Sequence, residues 1–366
     1  MKIILCGGGT AGHITPAIAI AEGILTKNPD AEILFVGREG GEENEAIMKK
    51  GFNLLTIKIS GFERKLSVKN LKNLKTVVSA LRRAKEIIKN FSPDAVVGTG
   101  GYVCWPILKT AQWMKIPTVI HESNASPGLS ARLLSKKCKR VLLNLQGSEK
   151  EFKERSNIRI VGNPVREEFL TQSRKDARKK LRLSEKSFFI LSLGGSGGSK
   201  KINDSIVELM QSHSTKNSGI THIHLCGRKY FNDIKKAFPQ LTAGINGCTI
   251  KPYSDDMATL MAAADLIISR AGAMTLAEIS AVGVASILIP SPNVTGNHQY
   301  KNAKLICEKN AAVMIEENEL CERKLSDMVK RIENDAAYRK MLGSEIKKFF
   351  VSDAKEKITN EIIDLI

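Results

Sequence analysis

The apolar run Ile3-Ile4-Leu5-Cys6 ends in Gly7-Gly8-Gly9-Thr10-Ala11-Gly12, and the run Phe188–Leu193 ends in Gly194-Gly195-Ser196-Gly197-Gly198. A short apolar run that stops at glycines and passes into a helical pattern reads as a strand feeding a helix. Strands alternating with helices build parallel sheets. Glycines at the junction let the backbone turn sharply and let amide groups approach an anion at the helix N-terminus. Repeated at the head of both halves of a 366-residue chain, this device constrains the fold more than any other feature.

Further strands are expected in the first half at Ile33–Val36, Leu54–Ile59, Ala95–Val97, Thr118–Ile120 and Arg140–Leu143, with a helix from about Ile14 to Leu25. The second half adds Thr221–Cys226, Ala264–Ser269 and Ala285–Ile289. The polar segment 171–187, rich in Lys and Arg, reads as surface structure leading into the second unit, and the last 25 residues read as helical. The expected architecture is α/β, with two Rossmann-like domains whose parallel sheets face an interdomain cleft. Its expected parts are 1–162, 163–340 and a C-terminal helical segment 341–366 returning to the first domain. Ligands of open parallel sheets bind beyond the carboxyl ends of the strands, so the site is expected there.

The chain carries a formal charge of +18, and residues 1–160 hold 26 Lys and Arg against 14 Asp and Glu, a net of +12. An anionic partner of the first half is implied: nucleic acid, a phosphorylated substrate or a membrane surface. Within it, residues 58–89 carry ten bases against Glu63 and Glu86. Val68, Leu71, Leu74, Val78, Leu81 and Ile88 recur there near helical spacing. A basic amphipathic helix suits an anionic bilayer, or a core helix with a solvated basic face. Arg132, Lys136, Lys137, Lys139 and Arg140 form a second cluster. Aromatic residues make up 5% of the chain and no stacking motif accompanies the charge, which argues against nucleic acid.

Seven cysteines occur at scattered positions with no C-x-x-C pair, which speaks against a disulfide framework or a zinc site. No stretch approaches the length of a membrane span, and the apolar start stops too soon for a signal peptide, so a cytoplasmic protein is expected.

Four loops carry the chemistry. His13 follows the first glycine loop directly; it either caps the helix start or serves transfer chemistry. Glu39 at the second strand leaves a nicotinamide dinucleotide open as a further reading of the loop. His121-Glu122-Ser123-Asn124 places four polar residues at a strand's carboxyl end. Arg270-Ala271-Gly272-Ala273-Met274-Thr275-Leu276-Ala277-Glu278 is a strand-to-helix turn of small residues. There Thr275 can donate to a phosphate, and Glu278, one turn later, can accept ribose hydroxyls or merely complement the helix dipole. The loop from Asn293 to Asn302 gathers amides and an imidazole suited to sugar hydroxyls. No Asp-x-Asp pair and no Walker pattern occur. A departing diphosphate would therefore rely on helix N-termini and hydroxyls.

Taken in order, GGGTAGHITPA (7–17), GTGGYV (98–103), HESNASPGL (121–129), GNPVR (162–166), RAGAMTLAE (270–278) and HQYKNA (298–303) resemble the MurG family of peptidoglycan glycosyltransferases over essentially the whole chain. The resemblance implies a GT-B fold and inverting, metal-independent transfer of N-acetylglucosamine from UDP-GlcNAc to lipid I, with no cofactor, at the cytoplasmic membrane face. It places the donor on Arg166, Ser196, Ser254, Ala271, Gly272, Ala273, Met274, Thr275, Leu276, Glu278, His298, Gln299 and Asn302, completed by Thr10, Ala11, Gly12 and Asn124. It assigns catalysis to His13 and Glu122 and the acceptor diphosphate to Gly9, Gly100, Gly101 and Tyr102. The implied membrane face comprises Leu71, Lys72, Lys75, Val78, Leu81, Arg82 and Trp113. Trp105, Ser123, Gly197 and Ser254 depart from the family pattern, which has Gly, Gln, Gln and Ile there. A glycolipid glycosyltransferase or a UDP-sugar epimerase of the same fold is the alternative.

Overall fold

The computed structural model describes residues 1–9, 11–41, 44–59, 68–195, 197–215 and 219–366, with the backbone alone described for Ala11, 68–74 and 214–215. Contacts divide the chain into two units, Met1–Pro164 with Val351–Ile366, and Val165–Phe350.

The first unit holds β1 (Lys2–Cys6), β2 (Glu32–Arg38), β3 (Asn53–Ile57), β4 (Ala95–Gly98), β5 (Thr118–Glu122), β6 (Arg140–Leu143) and β7 (Ile158–Ile160). They form one parallel sheet in the order β3-β2-β1-β4-β5-β6-β7. Period-two alternation sends successive side chains to opposite faces. Ile3 and Leu5 pack on the side of helix Ala11–Lys27, while Ile4 and Cys6 join Ala84 and Ile88 of helix Val68–Phe91 on the other. The C-terminal helix Ala354–Ile363 closes the first of these faces with buried Ile358 and Ile362. Full burial of each contributes roughly 1.5–3 kcal/mol.

The second unit holds β8 (Phe188–Leu193), β9 (Ile220–Leu225), β10 (Cys248–Lys251), β11 (Leu266–Ser269), β12 (Ala285–Leu288) and β13 (Val313–Met314) in the parallel order β10-β9-β8-β11-β12-β13. Strand order reverses between β1 and β4 in one unit and between β8 and β11 in the other. In each, the crevice at that reversal lies where a glycine loop begins.

Several expectations need correction. The third strand stops at Ile57, not Ile59. The strands β7, β10 and β13 go beyond the expected set; they are two to four residues long, at sheet edges, and too short for a periodic signal. The tail that joins the first unit begins at Val351, not 341, because helix Ala336–Lys347 buries Leu342 and Ile346 in the second. Segment 171–187 is not all surface. Its helix Arg174–Lys180 carries Arg178, which is 0% exposed.

Candidate active site

At the carboxyl ends of β1 and β4 two glycine loops interlock. Gly8 donates its amide to the Gly100 carbonyl at 3.3 Å, and Thr99 donates its amide to the Cys6 carbonyl at 2.9 Å. The backbone at Gly100 and Gly101 has φ of 121° and 86°, which side chains rarely adopt. A Cβ on Gly101 would meet the Gly8 carbonyl at 2.0 Å, and one on Gly100 would meet His13 Nδ1 at 2.7 Å. The His13 ring therefore lies against a bare backbone, half-buried in the first turn of its helix. Thr99 Oγ1 fixes that turn by donating to the His13 carbonyl at 2.7 Å. The helix has no acidic residue in its first turn, so its positive end is available to an anion. Tyr102 is exposed beside the loop, and Gly9 and Gly12 are exposed. Thr10 lies outside the described residues, as does the Ala11 side chain.

Glu122 ends β5 and is buried. Its Oε1 accepts from the Asn124 amide (3.0 Å) and Nδ2 (3.1 Å), and its Oε2 accepts from the Gly128 amide at 3.0 Å. The carboxylate thus organises its own loop and orients Asn124. His121 turns the other way and donates from Nε2 to the Gly162 carbonyl at 3.1 Å; burial lowers its pKa to about 4. Ser123, at a departure from the family pattern, presents its carbonyl to Asn144 and Asn163. Trp105, another departure, packs half-buried against the first unit's core.

In the second unit, helix Ala273–Val282 starts at Gly272, which brings no side-chain oxygen to the first-turn amides. Thr275 stands half-buried in that turn, and Glu278 lies one turn further on. Ala271, Met274 and Leu276 are buried in the core, so these positions offer backbone, not side chains. Burial pushes the Glu278 carboxyl up to about 7, against the nearby Arg166 guanidinium, which lowers it. The Arg166–Glu278 pair stands at 3.7 Å, and Arg166 also lies over the Phe169 ring.

The loop after β12 supplies the remaining groups. Gln299 accepts the Ser291 amide at 2.9 Å through Oε1. His298 donates from Nδ1 to the Thr295 carbonyl at 2.8 Å, since a carbonyl can only accept. Asn302, on the same helix, has a bracing role that the sequence did not show. It is fully buried and donates to the Ala271 carbonyl at 3.1 Å, so it braces the turn that carries Gly272 and Thr275. Ser254 accepts the Asp256 amide at 3.2 Å, just before helix Met257–Ala263. Ser196 lies outside the described residues, and Gly197 is exposed.

Arg270 escaped the sequence reading as a site residue. Its guanidinium donates to Ser199 Oγ at 2.6 Å and to the Ile289 carbonyl at 3.1 Å, and pairs with Glu317. It ties the glycine loop after β8 to the ends of β11 and β12. A lone arginine amid small residues at a strand's end was the available signal.

Of the implied membrane residues, Val78, Lys75 and Arg82 are exposed on helix Val68–Phe91 and Leu81 is half-buried; the Leu71 and Lys72 side chains lie outside the described set. Trp113 is 58% exposed on helix Cys104–Trp113, with Lys109 Nζ 5.3 Å from its ring centroid. No helix among the described residues is long and apolar enough to cross a membrane.

Two parallel-sheet α/β units, each with a glycine loop at its strand-order reversal, define a GT-B nucleotide-sugar enzyme. Residues 3–143 match the glycosyltransferase family 28 N-terminal domain, and residues 189–358 match the glycosyltransferase family 28 C-terminal domain. The UDP-N-acetylglucosamine–N-acetylmuramyl-(pentapeptide) pyrophosphoryl-undecaprenol N-acetylglucosamine transferase of Acetivibrio thermocellus is 42% identical, covering 100% of this chain and 98% of the relative. The transferase of the same name from Caldanaerobacter subterraneus is 41% identical, covering 98% of each. The crystal structure of Acinetobacter baumannii MurG matches with a TM-score of 0.76 at 26% identity, covering 99% of both chains. A UDP-GlcNAc 2-epimerase from Neisseria meningitidis shares the fold alone, at 12% identity and a TM-score of 0.68. The chain belongs to the MurG family within glycosyltransferase family 28.

Proposed function

We propose that the chain transfers N-acetylglucosamine from UDP-GlcNAc to lipid I, the undecaprenyl-diphosphate-linked muramoyl pentapeptide, giving lipid II in peptidoglycan synthesis. The carrying observation is full-length identity of 42% to a transferase of that name, in a chain that keeps an imidazole against the first unit's glycine loops and a largely buried carboxylate on the helix after β11. The epimerase alternative rests on fold likeness alone.

In this reading the second unit binds the donor. Glu278 accepts the ribose hydroxyls, and the amide end of helix Ala273–Val282, with Thr275, receives the diphosphate. Gln299 and His298 face the sugar, and the backbone at Ser254 faces the uracil. The first unit binds the acceptor, its diphosphate on the loops of Gly9, Gly100, Gly101 and Tyr102. The muramoyl hydroxyl attacks the anomeric carbon with inversion. His13 takes the hydroxyl proton as the new C–O bond forms, and the bond to the phosphate oxygen breaks with its electron pair leaving on UDP. Glu122 positions Asn124. No metal ion or cofactor enters the scheme.

Lipid I is a bilayer component, which accounts for the basic first unit. The chain docks peripherally on the anionic cytoplasmic leaflet through Val78, Trp113, Lys75 and Arg82. Nucleic acid has no part in it.

Purified protein incubated with labelled UDP-GlcNAc and a lipid I analogue should yield a lipid-linked disaccharide and UDP. UDP-sugar epimerised without acceptor, and no disaccharide, would move the chain to the epimerase reading.

A further inference from the structure

The two most exposed large apolar side chains among the described residues are Leu129, at 72%, and Leu133, at 62%. They stand four residues apart on one short helix, Leu129–Leu134, so they share one face. Alanine 131 and Leu134 of the same helix are buried, which fixes the helix on the first unit's core and leaves the leucine pair outward. Exposure of a single leucine needs no explanation, but a same-face pair beside other exposed apolar groups marks an interaction surface.

The charge around the pair names the partner. From Ser123 to Ser148 the chain carries Arg132, Lys136, Lys137, Lys139 and Arg140 and not one acid. Lys136 and Lys137 are exposed in the turn that follows the helix. The helix packs against Cys104–Trp113, whose last residue is the exposed Trp113. Arg132 and Arg140 are paired with Glu151 and Glu361, which leaves the lysines; exposed leucines followed by exposed ammonium groups suit acyl chains under anionic headgroups. A second copy of this chain suits them poorly, because it would bring two basic surfaces together.

We infer that helix Leu129–Leu134 is a second bilayer contact, inserting Leu129 and Leu133 among the acyl chains while Lys136 and Lys137 meet anionic headgroups. The inference rests on the membrane reading above and extends it to the acceptor loop itself. Gly128, the residue before the helix, donates its amide to Glu122, and Arg132 donates to the Pro127 carbonyl at 3.2 Å and pairs with Glu151. The inserted helix is therefore tied to the loop carrying Asn124 by Gly128, just before its first residue, and by Arg132. Docking and acceptor capture share one rigid element.

The test is co-sedimentation of the full chain with phosphatidylcholine vesicles containing phosphatidylglycerol. Three proteins are compared: wild type, the Leu129→Gln/Leu133→Gln double variant, and a Val78→Gln/Trp113→Gln double variant. The leucine variant should partition about tenfold more weakly, while its melting temperature and UDP-GlcNAc affinity stay at wild-type values. Wild-type partitioning of the leucine variant, with loss in the Val78/Trp113 variant, overturns the inference and leaves the membrane reading standing. A wild-type protein that does not sediment with vesicles overturns both. A wild-type dimer that the leucine variant converts to monomer assigns the face to a second copy and overturns the inference.

Discussion

The Cys104 thiol holds the Gly100 peptide from both sides. It accepts the Gly100 amide at 3.3 Å, and its S–H is shared between the carbonyls of Gly100 at 2.9 Å and Cys6 at 3.1 Å. Gly100 is the surface on which the His13 ring rests. One small side chain at the start of helix Cys104–Trp113 thus pins the end of β1, the left-handed turn and, through that turn, the imidazole. Cys104→Ala should lower turnover about tenfold through misplacement of His13, with UDP-GlcNAc affinity unchanged because the second unit binds the donor. Cys104→Ser, which keeps a donor and acceptor, should recover most of the rate. Steady-state kinetics with a lipid I analogue and calorimetry with the donor separate the two effects; an unaffected Cys104→Ala turnover removes the pin from the mechanism.

Glu278 gives donor binding a pH dependence of definite sign. Burial raises its pKa to about 7, so near neutrality part of the population is protonated. Only the ionised carboxylate accepts both ribose hydroxyls. Affinity for UDP-GlcNAc should rise with pH and level off above the folded pKa, by about tenfold from about pH 6 to about pH 8. Glu278→Gln should bind about ten- to a hundredfold more weakly at the upper end and lose the slope. The same shift carries a stability cost. The raised folded pKa means stability is fully present below the unfolded value and is lost as pH rises through about 7. Glu278→Gln should therefore melt higher than wild type in alkaline buffer, even as it binds donor poorly. Calorimetry across pH tests both halves; a flat wild-type profile contradicts the ribose assignment.

Glycine loops and their strands were legible in the sequence because both signals are local: apolar runs a few residues long, then residues that tolerate left-handed backbone. His13, Glu122 and Glu278 stand out for the same reason, as polar groups at strand ends. Burial and distant partners were not legible. Asn302 reads only as a sugar ligand until its amide is also seen on the Ala271 carbonyl, 31 residues away. Arg270 reads as motif filler until its reach to Ser199 and Glu317 is seen. Ile158-Arg159-Ile160 is too short and too exposed to announce an edge strand.

Two histidines, a serine and an asparagine form a buried hydrogen-bonded chain inside the second unit. Ser192 Oγ hydrogen-bonds both His222 Nε2 and His224 Nδ1 at 2.8 Å, and His224 Nδ1 also lies 3.2 Å from the Ser192 carbonyl. His224 Nε2 lies 3.1 Å from Asn203 Oδ1, and Asn203 donates to the Cys226 carbonyl at 3.0 Å, beside the second glycine loop. His213 lies 6.0 Å from His222, ring to ring. Burial lowers the His224 pKa to about 4 and holds His222 well below its ordinary value. Unfolded histidine protonates near pH 6.5, so the unfolded chain binds the extra protons between about 6.5 and about 4. Stability is full above that window and is lost as pH falls through it, by roughly 3 kcal/mol for His224 alone. Replacing His222 and His224 together with Gln should flatten the fall in melting temperature. An unchanged acid slope in the double variant would place the acid-labile groups elsewhere.

Arg178 fixes the amino ends of the two strands whose carboxyl ends form the donor site. Its Nη1 donates to the Ala263 carbonyl at 3.0 Å and Asp265 at 3.2 Å, just ahead of β11. Its Nη2 donates to the carbonyls of Ser184 at 2.6 Å and Ser187 at 2.5 Å, just ahead of β8. Asp265 in turn accepts the Phe189 amide at 2.8 Å and pairs with Arg174 at 2.6 Å. Removing Arg178 takes a fully buried guanidinium from the carbonyls of Ala263, Ser184 and Ser187; Ala263 keeps Arg174 and Ser184 keeps the Ser187 amide and hydroxyl, so the cost falls on the Ser187 carbonyl and on the packing of both lead-in segments. Arg178→Met should lose on the order of 3 kcal/mol of stability. Arg174→Met, at a half-exposed guanidinium, should lose about 1 kcal/mol or less. Because β8 and β11 are then less firmly registered, Arg178→Met should also weaken UDP-GlcNAc binding, whereas Arg174→Met should not. Urea unfolding and donor calorimetry on the two variants decide the matter, and equal losses from both would show that burial of Arg178 confers no special role.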